Sequence, residues 1–266
     1  MQPFTARDAA GFIATPTEHD DKYSRGVLGV ITGSDQYPGA AVLGVEAALR
    51  TGVGMVRYLG PQRASDLVLA RRPEAVAANG RVQAWLIGSG TDHASFADPA
   101  ADEAMAQGLP VILDGGALAL HTQRTGPLVI TPHYRELARV LAVSVDEIAD
   151  DPAQWAVKAA DLLRVTVLLK GHTTYVAGPG IQLSVQSAPT WLATAGAGDA
   201  LAGILGALVA THSDEIDTDE RMLARLAATA SVIHGLAADR AGQGGPFTIL
   251  DLCEAVPPTI ARLLAG

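Results

Sequence analysis

The chain has few of the residues that staple, anchor or spread charge. One cysteine, Cys253, stands among 266 residues. That excludes an intramolecular disulfide framework and any Cys-based zinc site, and it fits a reducing compartment. Only three of the 19 basic residues are lysines (Lys22, Lys158 and Lys170), and the net charge is −9. Such a balance argues against general affinity for nucleic acid or an anionic membrane surface. The longest apolar run, 200–210, is well short of the ~20 residues that span a bilayer. The first 16 residues lack the apolar centre of a secretory signal. The expectation is a soluble, cytoplasmic protein with no nucleic-acid and no membrane partner. Hydrophobic content of 48% supplies a sizeable core and excludes a wholly disordered chain.

Short apolar runs alternate with longer helical patterns. Strands are predicted at 26–31, 55–59, 84–88, 110–113, 128–131, 165–170, 174–177 and 181–185. Helices are predicted at 39–50, 94–107, 133–141, 152–163, 198–211, 218–241 and 250–264. Several strands are apolar almost throughout, which suits a parallel sheet covered on both faces. The rhythm implies a single α/β domain over residues 1–266: a doubly wound, mostly parallel sheet with helices on both faces. The runs 174–177 and 181–185 flank Gly178-Pro179-Gly180, a turn signal, and predict an antiparallel β-hairpin at the sheet edge. The acidic stretch 213–220 reads as a solvated loop between helices.

Chemistry concentrates where strands end. Ala193-Thr194-Ala195-Gly196-Ala197-Gly198-Asp199 runs straight into the apolar helix. Closely spaced glycines admit close backbone approach, and the helix N-terminus offers unpaired N–H groups. Together they make an anion-binding pocket. Asp199 is either a first-turn helix acid or a general base beside that pocket. Thr32-Gly33-Ser34 opens a second loop that leads through Gly39 and Ala40 into a helix. It matches neither a Walker A motif nor the dinucleotide fingerprint. Gly88-Ser89-Gly90-Thr91 and Leu113-Asp114-Gly115-Gly116 also end strands; Asp114 either faces the same cleft or caps the segment after it. Lys170 closes a strongly apolar strand, either reaching to water or serving a phosphate. In Thr131-Pro132-His133-Tyr134-Arg135-Glu136, the proline fits a strand exit, and His133 and Glu136 fall on one helix face. The seven histidines show no metal-ligand spacing; magnesium would come with phosphates and carboxylates.

The ordered set of segments 32–41, 86–90, 113–118, 131–141, 168–174 and 193–205 resembles the ADP/ATP-dependent NAD(P)H-hydrate dehydratases of the ribokinase-like superfamily. The likeness extends from about Tyr23 to Leu264, and segments 131–141 and 193–205 are its most specific parts. It implies a repair enzyme, a lyase that removes water from hydrated NADH or NADPH at the expense of a nucleotide phosphate. By this resemblance Asp199 activates the ring hydroxyl, while Gly196, Ala197 and Gly198 form the anion hole. Gly39, Ala40, Gly90 and His133, with Asp199, would meet the hydrated dinucleotide. Lys170, Gly171, His172, Thr173, Thr174 and Gly198 would contact ADP or ATP. Glu136 would help to organise Mg²⁺ through water. Relatives of this kind assemble as homo-oligomers, often tetramers. Two positions depart from the family pattern: Asp114-Gly115-Gly116 stands where Asp-Ala-Asp is common, and Gly90-Thr91-Asp92 lacks a final glycine. The competing readings are a ribokinase-like vitamin kinase, such as a hydroxyethylthiazole kinase, and a non-catalytic nucleotide-binding protein. A vitamin kinase tends to carry Asn where His133 stands.

Overall fold

The structure, a computed structural model, describes residues 1–91 and 98–266. Asp92, His93 and the first four residues of the predicted helix 94–107 lie outside the described residues. The strands are β1 (Gln2–Pro3), β2 (Val27–Ile31), β3 (Met55–Tyr58), β4 (Ala84–Ile87), β5 (Val111–Leu113), β6 (Leu128–Ile130), β7 (Thr166–Leu169), β8 (Thr174–Gly178) and β9 (Ile181–Val185). The helices begin with α1 (Ala6–Ala10), α2 (Pro38–Thr51), α3 (Gln62–Arg71) and α4 (Pro99–Met105). They continue with α5 (Tyr134–Leu141), α6 (Val145–Asp150) and α7 (Pro152–Leu163). The last are α8 (Ala197–Thr211), α9 (Ser213–Ile216), α10 (Met222–Gly242) and α11 (Ile249–Ala265).

All the strands join one sheet in the order β1-β9-β8-β7-β6-β5-β4-β2-β3. Only β8 runs antiparallel to its neighbours. The strands are apolar throughout because both faces are covered. In β2, Leu28 and Val30 enter a core shared with α2, α8, α10 and α11, while Val27 and Ile31 enter a second core with α4, α5 and α7. Gly29 lies under the Trp85 ring on that second face, where a Cβ would collide. The doubly wound α/β expectation therefore stands.

Several boundaries are corrected. The hairpin β8–β9 does not form the sheet edge: β1, near the N-terminus, pairs parallel with β9 and lies outside it. Two residues of strand leave no alternation to read. The stretch 213–220 is not all loop, because Ser213–Ile216 forms α9 and buries Ile216. Helix α10 starts at Met222, after Asp219 accepts the Arg221 N–H and holds the preceding turn. Helix α3 was not expected; it buries only Ala64, Ser65 and Val68, too thin a stripe to stand out.

The carboxyl ends of β2, β4, β5, β6 and β7 all open on one side. Strand β2 continues through α2 to β3 on one flank, while β4 sits on the other. The crevice between β2 and β4 is thus the point where strand order reverses, the place where open α/β sheets bind ligands.

Candidate active site

Asp114, at the exit of β5, is only 4% exposed and anchors the centre of the site. Its Oδ2 accepts from Ser89 Oγ at 3.0 Å, and its Oδ1 from Thr131 Oγ1 at 2.7 Å and Lys170 Nζ at 2.7 Å. Burial alone would raise the Asp114 pKa, but Lys170 and the two hydroxyls hold it below the ordinary value. Burial alone would lower the Lys170 pKa, but the Asp114 and Glu136 charges raise it. Lys170 is therefore a half-buried, charged counter-ion. Its backbone N–H donates to the Pro132 carbonyl at 2.8 Å, which ties the exits of β6 and β7 together.

His133 caps α5. Its Nδ1 accepts the N–H groups of Arg135 and Glu136 at 3.1 and 3.3 Å, and Glu136 Oε2 accepts the His133 N–H at 2.8 Å. This reciprocal capping box fixes Nδ1 as an acceptor, so the proton sits on Nε2. Glu136 Oε2 also lies 3.8 Å from Lys170 Nζ. Glu136 is thus occupied as a cap and a charge partner. Among the described residues no group of three His, Cys, Asp or Glu side chains is placed to hold a metal.

Across from these exits, Gly196 takes φ +90° and starts α8 without a side-chain cap. No described group accepts the N–H of Gly198 or Asp199, so the first turn presents free donors. A Cβ on Gly198 would lie 3.4 Å from Lys170 Nζ, so glycine leaves room for the amine beside the loop. The Asp199 carboxyl has no hydrogen-bond partner among the described residues. Burial and then the Asp114 charge push its pKa up to about 7, with Lys170 opposing. A carboxylate in that range is suited to accept a proton at neutral pH.

Two spaces lie beside these strand exits and the α8 start. A cleft of about 800 Å³ is lined by His133, Lys170, Gly171, His172, Thr174 and the α8 start, and closed by the loop 187–195. The second space is the β2–β4 crevice. There Gly90, at φ +69°, packs so tightly on Ala40 that a Cβ would collide with it, and the Tyr37 carbonyl would lie 3.1 Å away. Gly39 faces open space. His133, expected beside Gly39, Ala40 and Gly90, instead lines the cleft with Lys170, Gly171, His172 and Thr174. Thr173 departs from its group. Strand alternation turns its side chain to the other face, in a groove with Tyr175 and Gln186. Sequence reasoning left Asp114 undecided and gave residues 187–192 no part; that stretch carries no periodic or charged signal.

The sequence model of the NAD(P)H-hydrate dehydratases matches residues 28–255. The chain belongs to the NAD(P)H-hydrate dehydratase family. It is 42% identical over 218 residues to the bifunctional NAD(P)H-hydrate repair enzyme Nnr of Mycobacterium leprae, covering 77% of this chain and 45% of that protein. The chain thus spans less than half the length of that bifunctional relative. It is 33% identical over 221 residues to the ADP-dependent (S)-NAD(P)H-hydrate dehydratase of Bacillus subtilis, covering 76% of this chain and 79% of the relative. The crystal structure of the ADP/ATP-dependent NAD(P)H-hydrate dehydratase of B. subtilis, co-crystallised with ATP/Mg²⁺, superposes with a TM-score of 0.88 at 26% identity. That match covers 98% of this chain and 99% of the other. The fold of this dehydratase-family chain is ribokinase-like.

Proposed function

We propose that the protein restores NADH or NADPH from the (S)-hydrate in a dehydration driven by ADP or ATP. The observation that carries this reading is the position of Asp199. It is a carboxylate raised to about 7 in the first turn of α8, within the field of the Lys170–Asp114 pair. With the nucleotide in the cleft and the hydrate in the crevice, Asp199 takes the proton of the ring hydroxyl. The freed oxygen attacks the terminal phosphorus, and the P–O bond to the rest of the nucleotide breaks. The N–H groups at Gly198 and Asp199 meet the charge that spreads over the phosphoryl oxygens. Phosphate then leaves the ring, and loss of a proton from the adjacent carbon restores the reduced nicotinamide. With ADP the products are NAD(P)H, AMP and phosphate.

Lys170 holds its charge beside the loop because Asp114 fixes it there. His133 lines the cleft, its Nε2 3.6 Å from Glu136 Oε1. Magnesium fits as an ion carried by the phosphates, with Glu136, whose Oε2 lies 3.8 Å from Lys170 Nζ, to help hold its water shell. When bound it would neutralise phosphate charge. A cytoplasmic homotetramer belongs to the same proposal, read from the family resemblance.

The test incubates pure protein with NADHX, Mg²⁺ and either ADP or ATP, and follows the absorbance of regenerated NADH. Recovery is expected. No recovery with either nucleotide, together with phosphorylation of a vitamin alcohol, would overturn the proposal in favour of a kinase.

A further inference from the structure

Asp199 belongs to α8, while Gly39 and Ala40 open α2, and one contact sets how far apart these two helix starts lie. Along the pair, Leu43 of α2 lies against Gly196, and Gly44 lies near the Asp199 carbonyl. One turn further on, Gly203 of α8 meets Gly44 and Ala47. A Cβ on Gly203 would collide with the Gly44 carbonyl oxygen and lie 3.0 Å from the Ala47 methyl. The obstacle is backbone, so no side chain can turn aside to relieve it. Gly44 is under no such constraint. A Cβ there would lie 3.6 Å from the Asp199 carbonyl oxygen and 4.0 Å from Leu86 Cδ2, which is ordinary contact. Glycine inside a helix costs stability relative to alanine, so its presence at 203 is explained by close approach and not by helix formation.

The separation of two packed helices is set by the groups at their contact. Here backbone meets backbone. Ala40 and Asp199 each precede that contact by one helical turn, about 6 Å. The spacing fixed at Gly203 is therefore carried up to the two starts. Helix α8 is held between α2 and α10 over β2 and β4, whereas α2 lies toward the β3 flank. A wedge at 203 thus pushes α2 outward and takes Gly39 and Ala40 with it. The cleft proposed for the nucleotide is lined by no α2 residue among those described.

We propose that Gly203 is a positioning residue: by letting α8 close onto α2, it sets the distance across which Asp199 takes the proton of the hydrate and the freed oxygen meets phosphorus. This deepens the dehydration reading above and rests on it. Gly203 itself touches neither ligand. Reacting atoms must come within about 3–3.5 Å, and a misplacement of about 1 Å can cost about 100-fold in rate. The effect therefore falls on kcat and on the hydrate, and not on nucleotide affinity.

Four variants test this. Gly203→Ala drives the wedge, and Ala47→Val drives a second one from the facing helix, which serves if the first does not fold. Gly44→Ala adds the same methyl where there is room. In Gly206→Ala the new Cβ would lie 2.8 Å from Leu28 Cδ2, so it strains the packing of α8 on the sheet and leaves α2 alone. Circular dichroism and melting establish which variants are folded. Steady-state rates with NADHX and ADP are measured beside calorimetric binding of ADP. Gly203→Ala is expected to lose about 10- to 100-fold in kcat and to raise KM for NADHX, with Kd for ADP within about twofold. Ala47→Val is expected to change in the same direction. Gly44→Ala should match the wild type, and Gly206→Ala should melt lower yet keep kcat within about threefold. Wild-type kcat in either folded wedge would overturn the proposal. An equal loss in Gly206→Ala would also overturn it, because general loosening would then account for the effect. Turnover by the wild type decides the dehydratase reading separately. If the wild type and the wedges turn over NADHX alike, only the positioning role falls; if the wild type fails with either nucleotide, both fall.

Discussion

A proton acceptor works best when it titrates near the working pH, and Asp199 reaches about 7 through burial and the neighbouring Asp114 charge. Asp199→Asn is expected to lower kcat by about 10²- to 10⁴-fold while leaving nucleotide affinity close to wild type. Steady-state rates and calorimetry check the two halves separately. The sign of the pH dependence follows from the raised value. The base must be ionised, so kcat/KM rises about tenfold per unit toward pH 7 and levels off above it. A rate that falls across that window would remove Asp199 from the role. At Gly90 the constraint is steric, since its φ of +69° and the Ala40 methyl leave no room for a Cβ. Gly90→Ala is expected to raise KM for the hydrate and lower the melting temperature, with KM for ADP little changed. The chain itself announced Asp199 and Gly90, because glycine and acid at strand exits are readable. Asp114 could not be assigned from it. Its partners Ser89, Thr131 and Lys170 come from three other strand exits, and only the sheet brings them together.

At the scale of elements, strands with unbroken apolar runs and helices with broad stripes were legible. The elements that escaped were short or thinly buried: β1, α1, α3, α6 and α9. Helix α3 is nevertheless fixed firmly. Glu46 on α2 is wholly buried and accepts from Arg50 at 2.6 Å and Arg71 at 3.3 Å, and it is also paired with Arg72. Burial alone would raise its pKa, but the three guanidiniums hold it at about 2. A depressed carboxylate stabilises the fold above its unfolded value and loses that contribution as pH falls. The loss should run from about pH 4.5 downward toward 2. Glu46→Gln is expected to destabilise by about 2 kcal/mol at neutral pH, less than for a fully buried pair because the arginines reach solvent. Its melting temperature should also depend less on pH between 5 and 3 than that of the wild type. Urea titrations across that range provide the check.

For the molecule as a whole, the loops proposed to hold ligands share the carboxyl end of the sheet, so binding there would be coupled to folding. ADP with Mg²⁺ binds only the folded chain in the proposed reaction and should raise the melting temperature with concentration. At 100 times Kd the gain is about 2.7 kcal/mol. A melting temperature unmoved by saturating ADP would argue against a nucleotide site in the cleft. The Lys170–Asp114 pair has a consequence in protein chemistry. With only Lys22, Lys158 and Lys170 in the chain, an amine-reactive reagent has very few side-chain targets. Lys22 lies exposed near the first strands, and Lys158 stacks over the Trp155 ring at 4.4 Å. Lys170 is protected while its charge stays neutralised by Asp114. Mass spectrometry after brief acylation should find two modified lysine side chains in the native protein. A third would appear only as the site opens, which makes Lys170 a built-in clock for local unfolding of the catalytic centre.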